Sequence, residues 1–221
     1  SALITKACAE AKQVLVLRPG NPGDSLVSGR RGQRRYRIFF QGKPMKLGQA
    51  DNKSEVMRNA LRTLEECSQW TSRKERVAIS TVDIRAEAYP RLLPHRITAT
   101  LQISFPSHSA ADTLEQQIRQ RLAASQAELA LLSDRPSMPI RAINNGLLDR
   151  LRAVGDGWGI PINTETSLWP SVAGLVPPDV PVVCGLGPVA TGLHTGVEAL
   201  SRISLVQRSL LLAQFLLSEE A

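Results

Sequence analysis

The sequence predicts an α/β protein: an αβα-type layer interrupted by an inserted ferredoxin-like module with the order β-α-β-β-α-β. Three observations carry this reading. Apolar runs at Val14–Leu17 and Val180–Cys184, near the two ends of the chain, have the continuous hydrophobicity of buried strands. Between them lie RRYRIFF (34–40), rich in β-branched and aromatic residues, and two alternating segments, VAISTVDI (77–84) and ITATLQISF (97–105). Helical apolar spacing occurs twice among these strands, at the places a split β-α-β unit requires.

Taken in order, the first strand, Val14–Leu17, is closed by the turn-forming RPGNPG of residues 18–23. The strand at Arg34–Phe40 ends in QGKP, and Asp51 and Asn52 then offer a helix cap, with Glu55 three residues after Asn52 as in a capping box. Val56, Ala60, Leu61 and Leu64 fall at helical spacing along that helix. After a polar break come the two alternating strands, separated by a turn over Pro90–Pro94. Ser109 is the expected cap of a second helix, with Asp112 at its third position and Leu114, Ile118 and Leu122 on one face. Glu128–Leu132 supplies the module's last strand, and RPSMP (135–139) reads as a linker. A helix over about 142–154, the strand at Val180–Cys184 and a helix over about 201–218 complete the chain. That last helix is apolar almost all round and is expected to be largely buried. The predicted domains are therefore 1–32 with 136–221, and 33–135 as the insertion.

Composition excludes several classes. With 43% apolar residues but only 4% aromatic, the core is mostly aliphatic, and no apolar run approaches the roughly 18 residues of a membrane span. The N-terminal SALITKACAEAKQ has the pattern of neither a signal nor a transit peptide. Cys8, Cys67 and Cys184 are too few and too far apart for a disulfide framework or a cysteine zinc site, so free thiols in a reducing cytoplasm are expected. The net charge of +7 equals the local excess of eight cations over Asp24 between Arg18 and Lys46. Such a patch attracts phosphates or acidic partners, or else forms a solvated strand face. Interleaved arginines and aromatics on a ferredoxin-like strand also suit single-stranded RNA, but the Gly-Phe-type motif of such binders is missing, which disfavours nucleic acid.

His194, in GPVATGLHTGVE (187–198), is one of three histidines and stands in a glycine-rich loop, where a metal ligand or general base is at home. Either role needs partners. The alternative is a loop histidine beside Glu198, while His95 and His108, next to turns, are expected at the surface, and Cys184 in core packing.

The stretch VPVVCGLGPVATGLHTGVEALSRISLVQRSLLLAQFLL (180–217), together with VLVLRPG (14–20) and SGRRG (28–32), resembles the zinc peptidases of the glutamate carboxypeptidase and aminoacylase family. The likeness runs from the middle of that family's catalytic domain to its end, and residues 33–135 correspond to its inserted lid or dimerisation domain. It implies two zinc ions held by His, Asp and Glu, with a glutamate as general base. In this chain it implies only one retained ligand, His194, because Arg18 stands where a glutamate ligand precedes proline. The resemblance places Arg18 in the space of a metal, as one half of a buried ion pair. Substrate positions are also substituted: Lys46 for the lid histidine, Arg91 in the Asn-Val-Val-Pro segment, Ser104 for the arginine of Asp-x-Arg, and the loop 167–171 without its glycines and aspartate.

The leading expectation is thus a degenerate family member, a pseudoenzyme without hydrolysis of its own. It acts in assembly or as one half of a split protein, homodimeric through the lid and possessing no cofactor unless a complementary chain supplies zinc ligands. The alternative is a metal-dependent amidohydrolase or peptidase whose catalytic half lies outside this chain, or a scaffold reused for non-zinc chemistry. Lys46, Arg91 and His194 are then the catalytic candidates, and Lys46, Arg91 and Ser104 the substrate-binding ones.

Overall fold

The computed structural model describes residues 2–20, 25–48, 54–125 and 127–219. In chain order it contains α1 (Ala2–Ala9), β1 (Val14–Val16), β2 (Leu26–Arg30), β3 (Gly32–Gln41), α2 (Glu55–Gln69), β4 (Ala78–Ala86), β5 (Arg96–Phe105), α3 (His108–Ala123) and β6 (Glu128–Arg135). There follow α4 (Asn144–Asp156), β7 (Thr164–Ser167), a 3-10 turn (Val172–Leu175), β8 (Val182–Cys184), β9 (Ala190–Thr191), β10 (Ala199–Leu200) and α5 (Arg202–Glu219). The chain folds into two compact units, Ser1–Arg31 with Met138–Ala221, and Gly32–Ser137.

The second unit is the ferredoxin-like module. Its four strands are antiparallel in the order β4-β5-β3-β6. Period-two alternation along β3 turns Arg34, Tyr36, Ile38 and Phe40 inward and Arg35, Arg37 and Phe39 outward. β5 adds Ile97, Ala99, Leu101, Ile103 and Phe105 to the same inner face, against which α2 and α3 pack. Each fully buried leucine, isoleucine or phenylalanine there contributes roughly 1.5–3 kcal/mol. β3 begins at a glycine because a Cβ at Gly32 would lie 2.1 Å from the Phe105 ring.

Both helix starts differ from expectation. Ser54 caps α2, its Oγ accepting from the Met57 amide, whereas Asp51 and Asn52 lie outside the described residues. Ser107 rather than Ser109 caps α3, accepting from the Ala110 amide. A serine hydroxyl two residues away competes equally well for the first free amides, and tertiary packing selects between them. α2 buries Ala60, Thr63, Leu64 and Cys67, leaving Leu61 half exposed. Arg121 of α3 pairs with Glu66 of α2 and ties the two helices together.

In the first unit, β1 and β2 each pair in parallel, with β8 and β7 respectively, and β2 meets β8 at Val27 and Cys184, giving the order β1-β8-β2-β7. α4 and α5 cover one face through Leu147, Leu148, Leu151, Leu211 and Phe215, packed on Leu26, Val183 and Leu186. The other face holds Val16, Val27, Met138, Ala173 and Cys184. Asn144, buried at the start of α4, accepts the Val182 amide on its Oδ1 and so fixes α4 on β8. Residues 135–139 are no loose linker: β6 runs to Arg135, and Met138 exchanges both backbone hydrogen bonds with Arg30.

α5 departs most from expectation. Among its residues of described burial, Ser204, Arg208, Leu211 and Phe215 are the buried ones, while Ile203 is 73% and Leu217 66% exposed. Hydrophobicity all round a helix shows that burial is favourable, but not that this chain has surface to cover every side. Among the described residues, no helix is long and apolar enough to cross a membrane.

Candidate binding cleft

The loop around His194 is closed by a two-residue ribbon not foreseen from the sequence, β9 pairing with β10 at Thr191–Ala199 and Ala190–Leu200. Gly192 and His194 both have left-handed backbone, φ 60° and 65°. The His194 amide donates to Glu198 Oε2 at 2.9 Å, so Glu198 fastens the turn from within. The imidazole is exposed at the lip of a cleft of 350 Å³, whose walls include Arg18, Arg30, Ser167, Trp169 and Leu193. That is the size range of small-molecule sites.

Two guanidiniums dominate the cleft. Arg18 is half-buried at the end of β1 and donates through Nη1 to the Pro170 carbonyl at 3.1 Å. It forms no ion pair among the described residues, so the expected buried pair is replaced by a hydrogen bond to a neutral acceptor. The reason is local: among the described residues no carboxylate lines this cleft. Arg30, on the fully buried strand β2, is 7% exposed. Its Nε donates to Cys184 Sγ at 3.1 Å, and its Nη1 to Ser167 Oγ and the Trp169 carbonyl at 3.1 and 3.2 Å. Cys184 therefore sits in the core as expected, with the added duty of accepting from Arg30 and lying 3.5 Å from Ser171 Oγ.

The eight-cation run is not one surface. β-alternation sends Arg35 and Arg37 outward and Arg34 inward, and Arg30 is buried in the other unit. Arg34 meets Asp112, Asp134 and Glu115 and lies 5.6 Å from the Phe105 centroid. Burial opposes ionisation of Glu115, but hydrogen bonds from Tyr36 and Arg119 and the Arg34 charge hold its carboxyl below the usual range. Burial and the Glu115 contact both push the Tyr36 hydroxyl well above its ordinary value.

The remaining candidates do not converge. Lys46 and Arg91 lie together in the second unit, Lys46 bridging Leu92 and the Leu47 amide bonding the Arg91 carbonyl, with Arg91 at φ 64°. Ser104 stands near the other end of β5, eight residues beyond Arg96, roughly 27 Å along the strand at about 3.4 Å per residue. His108 is exposed as expected, whereas His95 is half-buried, its ring 4.8 Å from that of Tyr89.

Zinc does not fit what the cleft offers. Among the described residues no three His, Cys, Asp or Glu side chains gather as a metal group, and the arginines that line the cleft with His194 are Arg18 and Arg30. The residue missed by sequence reasoning is Arg30, whereas Ser167 and Trp169 belong to the loop 167–171 that the resemblance sets among the substrate positions. For Arg30 a signal existed, an arginine closing the strand-like run after Leu26 and Val27.

The fold is that of peptidases and amidohydrolases. An aminopeptidase of Bacillus cereus, PepT, superposes with a TM-score of 0.75 at 12% identity, covering 93% of this chain and 56% of its own. A tripeptidase of Staphylococcus aureus gives 0.75 at 15%, covering 94% and 56%. An aminobenzoyl-glutamate utilization protein of Klebsiella pneumoniae gives 0.69 at 9%, covering 95% and 55%. The chain thus spans about half the length of the solved structures it matches. No family model and no curated protein matches the sequence.

Proposed function

We propose that this chain is a degenerate member of the zinc carboxypeptidase and aminoacylase family, without hydrolysis of its own, that acts in assembly or as one half of a split protein. The observation that carries the reading is the lining of the cleft beside His194, which among the described residues includes Arg18 and Arg30 and no carboxylate. A divalent cation placed beside two guanidiniums meets repulsion rather than ligands. The protein is a homodimer through the residue 33–135 module, whose edge strands β4 and β6 carry exposed Val82, Ile84, Leu131 and Leu132. Three free thiols suit a reducing cytoplasm.

A second reading is favoured by the apolar side chains exposed along α5. In it, a second polypeptide covers that helix and brings zinc ligands to His194, and the pair is an amidohydrolase or peptidase. The test is metal content, measured on the purified chain alone and with any polypeptide that co-purifies. Stoichiometric zinc in the chain alone sinks the degenerate reading. Zinc only in the two-chain complex, with amide hydrolysis lost in His194→Ala, establishes the second. Under either enzymatic alternative, Lys46 and Arg91 are the next residues to substitute.

A further inference from the structure

Arg30 poses a physical problem. It is a guanidinium with 7% exposure and only neutral partners, a thiol sulfur, a hydroxyl and a carbonyl, and no carboxylate within ion-pair distance among the described residues. Buried charges are ordinarily matched by a counter-charge, because neutral acceptors recover only part of the lost hydration. Arg30 also faces an open cleft rather than a closed core, and Arg18 lines that same cleft. Among the described residues, the bonds of Arg30 use Nε and Nη1, and that of Arg18 uses Nη1, which leaves donors on both guanidiniums for a ligand. Ser167 Oγ accepts from Arg30 and from the Trp169 amide, so its own proton is available to donate. The wall also carries the apolar Trp169, 63% exposed, and Leu193, together with Thr191 and His194.

We propose that this cleft binds a small oxyanion, a carboxylate or a phosphate, its charge set between Arg18 and Arg30 and its organic part against Trp169 and Leu193. Planar guanidiniums match both oxyanions through paired N–H donors, which a cavity with a single lysine does not. The ligand supplies the counter-charge that Arg30 lacks. This rests on reading the cleft as one without zinc, and the experiment separates the two.

The full chain, with its metal content measured first, is titrated calorimetrically with inorganic phosphate and, separately, with benzoate. Saturable binding of at least one probe is expected, weakened about tenfold or more in Arg18→Ala. Arg37→Ala, on an outward position of β3, leaves affinity unchanged. Trp169→Ala weakens benzoate but spares phosphate. Tighter phosphate binding assigns a phosphate ligand, and tighter benzoate binding a carboxylate; both support the proposal. Two results overturn it: no saturable binding of either probe by zinc-free protein, or affinities that Arg18→Ala does not change. Zinc found in the chain instead refutes the underlying reading, independently of the titration. Because Arg30 is buried, Arg30→Lys is a supplementary variant, interpreted only if it retains the wild-type circular dichroism.

Discussion

Replacing Arg34 by methionine tests the electrostatic centre of the ferredoxin-like unit. The Arg34 side chain is 10% exposed and makes two short charge-assisted bonds, Nε to Asp134 at 2.8 Å and Nη1 to Asp112 at 2.7 Å. Asp134 is 31% exposed, so its bond is worth about 1.5–3 kcal/mol. Asp112 is 66% exposed and screened, and its pair contributes about 0.2–1 kcal/mol. The contact over Phe105 adds about 0.5–1 kcal/mol, and the 3.5 Å approach to Glu115 about 0.2–0.5 kcal/mol while that carboxyl is ionised. Methionine keeps the buried stem, so the expected cost is about 3 kcal/mol. At a urea m-value of about 2 kcal/mol/M this moves the midpoint down by about 1.5 M. The pH dependence follows from Glu115, whose carboxyl is held below its ordinary 4.5 in the folded protein. A depressed carboxyl contributes stability that is present above the unfolded value and lost as pH falls through the folded one. Arg34 supports that depression, so the gap between wild type and Arg34→Met narrows on acidification below about pH 4.5. A cost under about 1 kcal/mol at pH 7, or an undiminished gap at pH 3, refutes the reasoning.

Thiol labelling of the native protein should modify Cys8 and spare Cys67 and Cys184, which are fully buried, with burial pushing the Cys67 thiol up to about 11. Rapid labelling of all three below the unfolding transition contradicts the packing described. His194→Gly relieves a left-handed backbone at φ 65°, so it should leave the melting temperature unchanged or raise it, by up to about 1 kcal/mol of stability. A lower melting temperature shows that the imidazole holds a structural partner. Gly32→Ala places a Cβ against the Phe105 ring and the Ser137 amide, and should cost about 1–3 kcal/mol in urea unfolding. A neutral result means that the Phe105 ring has room to move.

The ferredoxin-like strands were legible because each carries its own period, and a ten-residue strand such as β5 exceeds any competing pattern. Its helix faces were legible in part: Leu114, Ile118 and Leu122 are buried as spaced, but Leu61 lies outside the face that Thr63 and Cys67 complete. Cap positions failed, by two residues from Asn52 and from Ser109, because short polar side chains near a helix start are chemically similar until the chain direction is set. β9 and β10 are two residues each, too short to show any period. α5 failed for a different reason, since its sequence records apolar character whereas burial depends on what lies opposite.

The charge pattern shows most clearly what a linear reading loses. A run of eight cations and one acid suggests a single attractive surface, yet consecutive residues on a strand face opposite ways. Arg35 and Arg37 reach solvent, Arg34 turns inward to three carboxylates contributed by α3 and β6, and Arg30 turns inward where, among the described residues, none pairs with it. The first pair adds to net charge, the second is neutralised within the fold, and only the third leaves a buried positive centre open to a ligand. An anionic partner attracted by the overall +7 should therefore respond to salt as any surface binder does. One drawn by Arg30 and Arg18 should be less sensitive, because Arg30 is buried and its charge is screened less than those at the surface. Salt dependence of the oxyanion titration thus distinguishes the cleft from the surface.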